Sequence, residues 1–374
     1  MAYGPSNAGF LRISPAEPSS FAVPAWRGAC KGKRNMNTHR GVRSLCGCLA
    51  ACFTIAFTLP AQSLKKVGAI ELPGPKGQRF DYLTMDDEDH YLLSAHLGPG
   101  IMYVIDVKTN KVVRAIPGVP GITGLEYVPG LHKVYTSNWG EEKIGVVDLR
   151  TMAVVKRLPT SSKPNGSVYA EPFRKVYVVN TLGKAVSVID VDKDSVVKTI
   201  RFNSETGMPG YDSVARKVYV NLRSTNEIAE IDPQTDAVLG RFPVEGCRFN
   251  HGMAVDSEHH RAFLLCGGTR SLTVFALDTH KAIAHLPLAA GADVVKFDPG
   301  LGRIYAACSS GFISVFQVDG NGGYKKVEDF PVQKLVHSLA VDTATHLVYA
   351  PEQQEDGRPA ARIIIYKPSE VTTK

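Results

Sequence analysis

The chain has 374 residues, of which 43 are Lys or Arg and 36 are Asp or Glu, for a formal charge of +7 at pH 7. Seven of the basic residues (Arg12, Arg27, Lys31, Lys33, Arg34, Arg40, Arg43) stand against one acid, Glu17, within residues 1–63, so the remaining 36 bases and 35 acids nearly cancel. A body this close to neutral, whose basic residues do not interleave with aromatics in a stripe, argues against nucleic acid as a partner.

Taken in order, residues 1–35 are rich in Pro, Ser, Gly and Arg without periodicity and read as disordered, or as untranslated with Met36 the true start. Residues 36–63 read as a cleavable secretory signal. A basic start (His39, Arg40, Arg43) precedes the apolar run Ser44 to Leu59, and Pro60 with the small-residue pattern Ala61-Gln62-Ser63 follows, with cleavage expected after Ala61 or Ser63. The 16-residue run is shorter than the ~20 residues that a spanning helix needs, so no membrane span is expected after cleavage, and the protein is expected in the periplasm or secreted. Of seven cysteines, Cys247, Cys266 and Cys308 would then remain; export permits one disulfide and one thiol left over, and three small buried residues is the alternative.

From residue 64 a repeat takes over. Aromatic anchors fall at Tyr91, Tyr135, Tyr177, Tyr219, Phe263, Tyr305 and Tyr349, in steps of 42 or 44 residues. Periods of roughly 20 to 50 residues mark solenoids, propellers or arrays. One unit holds four short runs rich in Val, Ile, Tyr and Phe: Asn165 to Glu171, Lys175 to Asn180, Ala185 to Val191 and Val196 to Phe202. Bounded by Pro, Gly, Asn or Asp, they read as strands joined by tight turns, with Asp190 and Asp232 accepting backbone N–H groups in those turns. A four-stranded sheet with two apolar faces needs neighbours on both sides, and seven in a ring make an all-β, seven-bladed β-propeller over residues 64–370, with 371–374 a tail. The seventh unit lacks a fourth strand, and the unassigned run Leu64 to Leu72 matches the fourth run of the first unit. The N-terminal strand is therefore expected to complete the last blade and close the ring.

The Tyr177-Val-Val-Asn180 and Val188-Ile-Asp190 pattern resembles the YVTN-repeat, YncE-like group of β-propellers found in bacterial periplasmic and surface proteins. The resemblance implies the fold and an exported location; it leaves function open, because such repeats carry different sites on one scaffold. Cys266 and Cys308 stand where the motif would place Asn.

Used as a ruler, the period aligns the ends of the seven innermost strands into a ring of Asp81, Thr123, Gly166, Met208, His251, Asp293 and His337. The ring is lopsided: units five, six, seven and one supply His251, Asp293, His337 and Asp81. With Asp256 opposite Arg261, simple counting places His251 opposite Cys266, Asp293 opposite Cys308, His337 opposite Glu352 and Asp81 opposite His96. Two imidazoles and two carboxylates suit a divalent transition metal or general acid–base work, so His251, His337, Asp81 and Asp293 are candidate metal ligands and catalytic groups. Arg79 and Arg248 can pair an anion; His96, Asn250 and Glu352 add polar contacts; Tyr82, Phe80, Phe249 and Trp139 offer apolar walls. No haem, nucleotide or flavin motif and no standard catalytic motif is present. Two functions fit. The first is an exported binding or scaffolding protein receiving a small molecule, glycan, peptide or protein on the top face. The second is a metal-assisted hydrolase, lyase or oxidoreductase on the His/Asp arc.

Overall fold

The computed structural model describes residues 62–369 except residue 321. The expected disordered segment and nearly all of the expected signal lie outside the described residues. Twenty-eight strands form seven four-stranded antiparallel sheets, which confirms the seven-bladed propeller. Six sheets take their strands in sequence order; the seventh takes Ala340–Asp342, Leu347–Glu355, Arg358–Pro368 and then Leu64–Glu71 as its outer strand. The borrowed strand is paired along its length, from Leu64 opposite Pro368 to Glu71 opposite Arg362. Arg303 locks the junction, its guanidinium donating to the Ser63 carbonyl at 3.1 Å and the Ser369 carbonyl at 2.7 Å.

The repeated Lys-Val-Tyr has a direct physical reason. Alternation along a strand puts the Lys and the Tyr on one face, and both reach the same turn aspartate of the next blade. Tyr135 Oη donates to Asp194 at 2.5 Å beside Lys133 Nζ at 2.6 Å, and Tyr177 Oη donates to Asp236 at 2.5 Å beside Lys175 Nζ at 2.8 Å. Six of the seven aromatic anchors are almost fully buried between blades, and Tyr91 is half-buried. Burial of such a side chain contributes roughly 1.5–3 kcal/mol. The expected turn role of the other aspartates holds too, with Asp190 accepting the N–H groups of Asp192 and Lys193 at 3.1 and 3.0 Å.

The expected strand pairing fails at one end only. Asp256 does lie opposite Arg261, but the register shifts between Asn250 and Met253, so Cys266 pairs with Asn250 and His251 sits in the bulge. The same shift puts Cys308 opposite Ala292 and leaves Asp293 bulged. In the first blade Asp81 and Tyr82 together face Ala95, and in the seventh the inner strand begins only at Ala340. A bulge inserts one residue and re-aims its side chain. At this rim it turns the ring residues toward the channel while their supposed partners stay inside the blades.

Candidate functional site

The bulged ends of the inner strands surround a cavity of about 700 Å³ at one mouth of the channel. Asp81, His251, Asp293 and His337 all line it, so the structure brings together the four polar ring residues. They form two pairs. His251 Nε2 lies 2.8 Å from Asp293 Oδ1, and His337 Nε2 faces Asp81 Oδ2 at 3.8 Å, longer than a direct hydrogen bond. Arg79 lines the same wall and donates to Asp81 at 3.1 Å. His337 Nδ1 is engaged by the Leu335 carbonyl at 2.9 Å.

Burial and charge divide the two acids. Burial alone would raise Asp293, but the charge and hydrogen bond of His251, with His337 and Arg79 nearby, outweigh it and hold the carboxyl down at about 2. Asp81 goes the other way: burial raises it, and the opposing pull of His337 and Arg79 only partly offsets this. Burial would lower His337, yet Asp81 and Asp293 bring it above the usual histidine range. Asp81 and His337 thus both hold protons more firmly than isolated groups.

Four expected site residues belong elsewhere. His96 is fully buried, stacked on Phe80 with ring centroids 3.8 Å apart, and near Tyr103 Oη and the Gln78 carbonyl; burial lowers it to about 4, so it is a neutral packing group, and Phe80 is core. Glu352 is buried in a two-pronged ion pair with Arg362 at 2.8 and 2.9 Å. Asn250 is buried and donates to Asn221 Oδ1 and the Glu227 carbonyl, both at 2.8 Å; Asn221 in turn donates to the His251 carbonyl at 2.8 Å, so this amide pair positions the His251 backbone. Arg248 is exposed and lies outside the cavity lining. For His96 the bulge is the reason, since it ends its second strand opposite the bulged Asp81 and Tyr82 and points into the blade.

Trp139, Tyr82 and Phe249 line the cavity as expected. Sequence reading missed Lys163, Leu182, Arg223 and Leu335. A signal for some was available: Trp139, Thr181, Arg223, Gly267 and Ser309, all in the wall, each stand one residue beyond the end of a second strand, and Gln353 keeps their period within the longer second strand of the seventh blade.

Cys247 and Cys266 form a disulfide across a Cα separation of 5.4 Å at the rim of the fifth blade. Cys308 stays a buried thiol near Ser314 Oγ, pushed up to about 11 chiefly by burial. Among the described residues no group of three or more His, Cys, Asp or Glu side chains gathers closely enough to hold a metal ion. A metal at the arc would have to draw on the two His/Asp pairs, where both Nε2 atoms now face carboxylates.

No known family model matches the sequence, and no curated protein sequence matches it. Solved structures share its architecture. Kuenenia stuttgartiensis hydrazine synthase is similar with a TM-score of 0.69 at 14% identity, over 80% of this chain and 98% of that one. The WD40 repeats of RRP9 are similar with a TM-score of 0.67 at 11% identity, over 82% and 98%. At such identities the likeness is one of fold: the chain is a seven-bladed β-propeller.

Proposed function

We propose that this is an exported binding propeller of the YVTN-repeat type that receives a small molecule in the chamber at the channel mouth. The observation that carries the reading is the convergence of Asp81, His251, Asp293, His337 and Arg79 with Tyr82, Trp139 and Phe249 around one cavity of about 700 Å³. That volume lies within the range of small-molecule sites, with few polar groups set among apolar walls. Binding is favoured over acid–base catalysis by how the imidazoles are committed. His251 Nε2 is bonded to Asp293 and its Nδ1 is buried without a partner; His337 Nδ1 is bonded to a carbonyl and its Nε2 is buried facing Asp81. Neither ring presents a nitrogen to a reacting atom, which a general base must do.

The Cys247–Cys266 disulfide supports export, since such bonds persist in oxidising compartments. Of the two expected cleavage points, the one after Ala61 fits better. Ser63 is buried, its N–H donating to Glu328 at 2.7 Å and its carbonyl taking Arg303 and the Ser369 N–H, so it belongs with the propeller. Among the described residues no helix is long and apolar enough to cross a membrane.

A thermal-shift screen of small metabolites on wild type, His251→Ala and His337→Ala tests the reading. Hits that stabilise wild type and lose their effect in both variants locate binding in the chamber; hits that stabilise all three proteins equally place it elsewhere. Elemental analysis of the same preparations addresses the metal-assisted alternative, which stoichiometric metal lost in both variants would favour.

A further inference from the structure

The structure assigns the chamber a ligand class: an organic anion with an apolar body, its acid group drawn to Lys163 and Arg223. This rests on the chamber being a binding site and concerns the wall opposite the His/Asp arc. Within that arc the charges are answered locally, Asp293 by His251 and Asp81 by Arg79 and His337. The far wall is different. The Lys163 ammonium has no acidic partner among the described residues and lies over the Trp139 ring, 5.2 Å from its centroid. Arg223 lies over the Phe249 ring at 5.7 Å, and its nearest carboxylate, Glu205, is 3.9 Å away, too far for a charge-assisted hydrogen bond. Arg223 Nε and Trp139 Nε1 are buried without an acceptor. Both are donor-only groups, so what this wall lacks is an acceptor.

The rim supplies the second half of the assignment. Leu182, Phe249 and Leu335 all line the cavity while remaining 56%, 51% and 46% exposed. Three large apolar side chains kept in water around one opening fit a ligand that covers them. Phe249 and Leu335 are moreover held at φ of 55° and 72°, a conformation uncommon for bulky side chains and one that tends to persist at ligand clamps. Cationic contacts within and apolar contacts at the mouth select an amphipathic acid over a sugar or a cation.

The test uses Trp139 as reporter. The chain has two tryptophans, Trp26 and Trp139, so Trp26→Phe leaves only the one in the cavity wall. Its fluorescence is followed while the full-length protein is titrated with 3-phenylpropionate, 3-phenylpropionamide and 3-phenylpropylamine, which match in shape and carry negative, zero and positive charge. The acid is expected to bind at least about tenfold more tightly than the amide, a difference of ~1.4 kcal/mol, with the amine weakest. Lys163→Gln and Arg223→Gln should each shrink the acid-to-amide ratio toward one, and Leu335→Ser should weaken acid and amide alike. Tightest binding by the amine, or a ratio unmoved by both Gln variants, would overturn the assignment while leaving the chamber a binding site. Silence toward all three compounds alongside screen hits that depend on His251 and His337 would also overturn it, whereas hits indifferent to those histidines would remove the chamber reading first.

Discussion

At the channel mouth one strand position is used seven times, yet blades two to four and blades five, six, seven and one use it differently. In the first group Thr123 is fully buried with its hydroxyl near the Ser137 and Pro164 carbonyls, at 3.1 and 2.9 Å. A Cβ on Gly124 would stand 2.2 Å from the Asn165 carbonyl, so the strand backbones meet there with no room for a side chain, and the space beside Gly166 is filled by Met208, whose Sδ would stand 2.1 Å from a Cβ there. In the second group the position carries Asp81, His251, Asp293 and His337, paired across blade boundaries. Close approach is kept one residue further on, where a Cβ on Gly252 would meet the Asp293 carbonyl at 2.5 Å. The two arcs teach that closing the ring needs small residues at the crossing points only, and that the bulged residue itself is free to carry chemistry.

The comparison is most sharply broken by the acid beneath the neutral arc. Glu126, three residues down the inner strand from Thr123, takes the Tyr169 N–H at 2.7 Å, and burial raises it to about 7 despite that bond and the charge of Lys296. A carboxyl raised in the folded state favours folding in its protonated form, so its effect on stability worsens as pH rises from the unfolded value, near 4, through 7. Glu126→Gln should match wild type at pH 4 and exceed it by about 3 kcal/mol at pH 9, measured by urea unfolding at both. A variant less stable than wild type at pH 9 would mean that this arc relies on the charge.

Asp293→Asn probes the opposite arc with the opposite sign. Because the folded carboxyl is held down at about 2, its contribution is complete above the unfolded value and is lost as pH falls toward 2. The side chain is a quarter exposed, and solvent screening reduces the gain; the variant should be less stable by about 2 kcal/mol at pH 7, and the deficit should close as the unfolding series is carried from pH 5 to pH 2. A deficit independent of pH would show that shape, not charge, holds the His251–Asp293 pair.

What could be read from sequence follows from which interactions are periodic. The anchors from Tyr91 to Tyr349 and the borrowed strand were legible because every blade boundary repeats one burial problem, so spacing alone fixed blade number and closure. The four members of the arc were legible for the same reason, as the bulge recurs at Asp81, His251 and Asp293 and His337 keeps the same period. Their supposed partners His96, Cys266 and Cys308 were misplaced because a bulge changes which residues face one another, and nothing in the composition of Asn250-His-Gly announces it; Glu352 was misplaced because the inner strand of its blade begins only at Ala340. Lys163 and Arg223 escaped notice because single cations before or after a strand look like solvated turn residues until the cavity between them is seen.

The smallest effect separates scaffold from site most cleanly. Thr123→Val keeps the shape of the side chain and removes one hydroxyl, leaving the Ser137 and Pro164 carbonyls without their shared donor. A hydrogen bond lost at a buried position costs about 1 kcal/mol, which in a domain of this size lowers Tm by roughly 2–4 °C. No titrating group is touched, so this deficit should be the same at pH 5 and pH 9, unlike those at Glu126 and Asp293. Nor should it alter the acid-to-amide ratio reported by Trp139, since Thr123 lies outside the cavity lining. A changed ratio would mean that the ring transmits strain from the neutral arc into the chamber, and the division between the two arcs would then describe residue types alone.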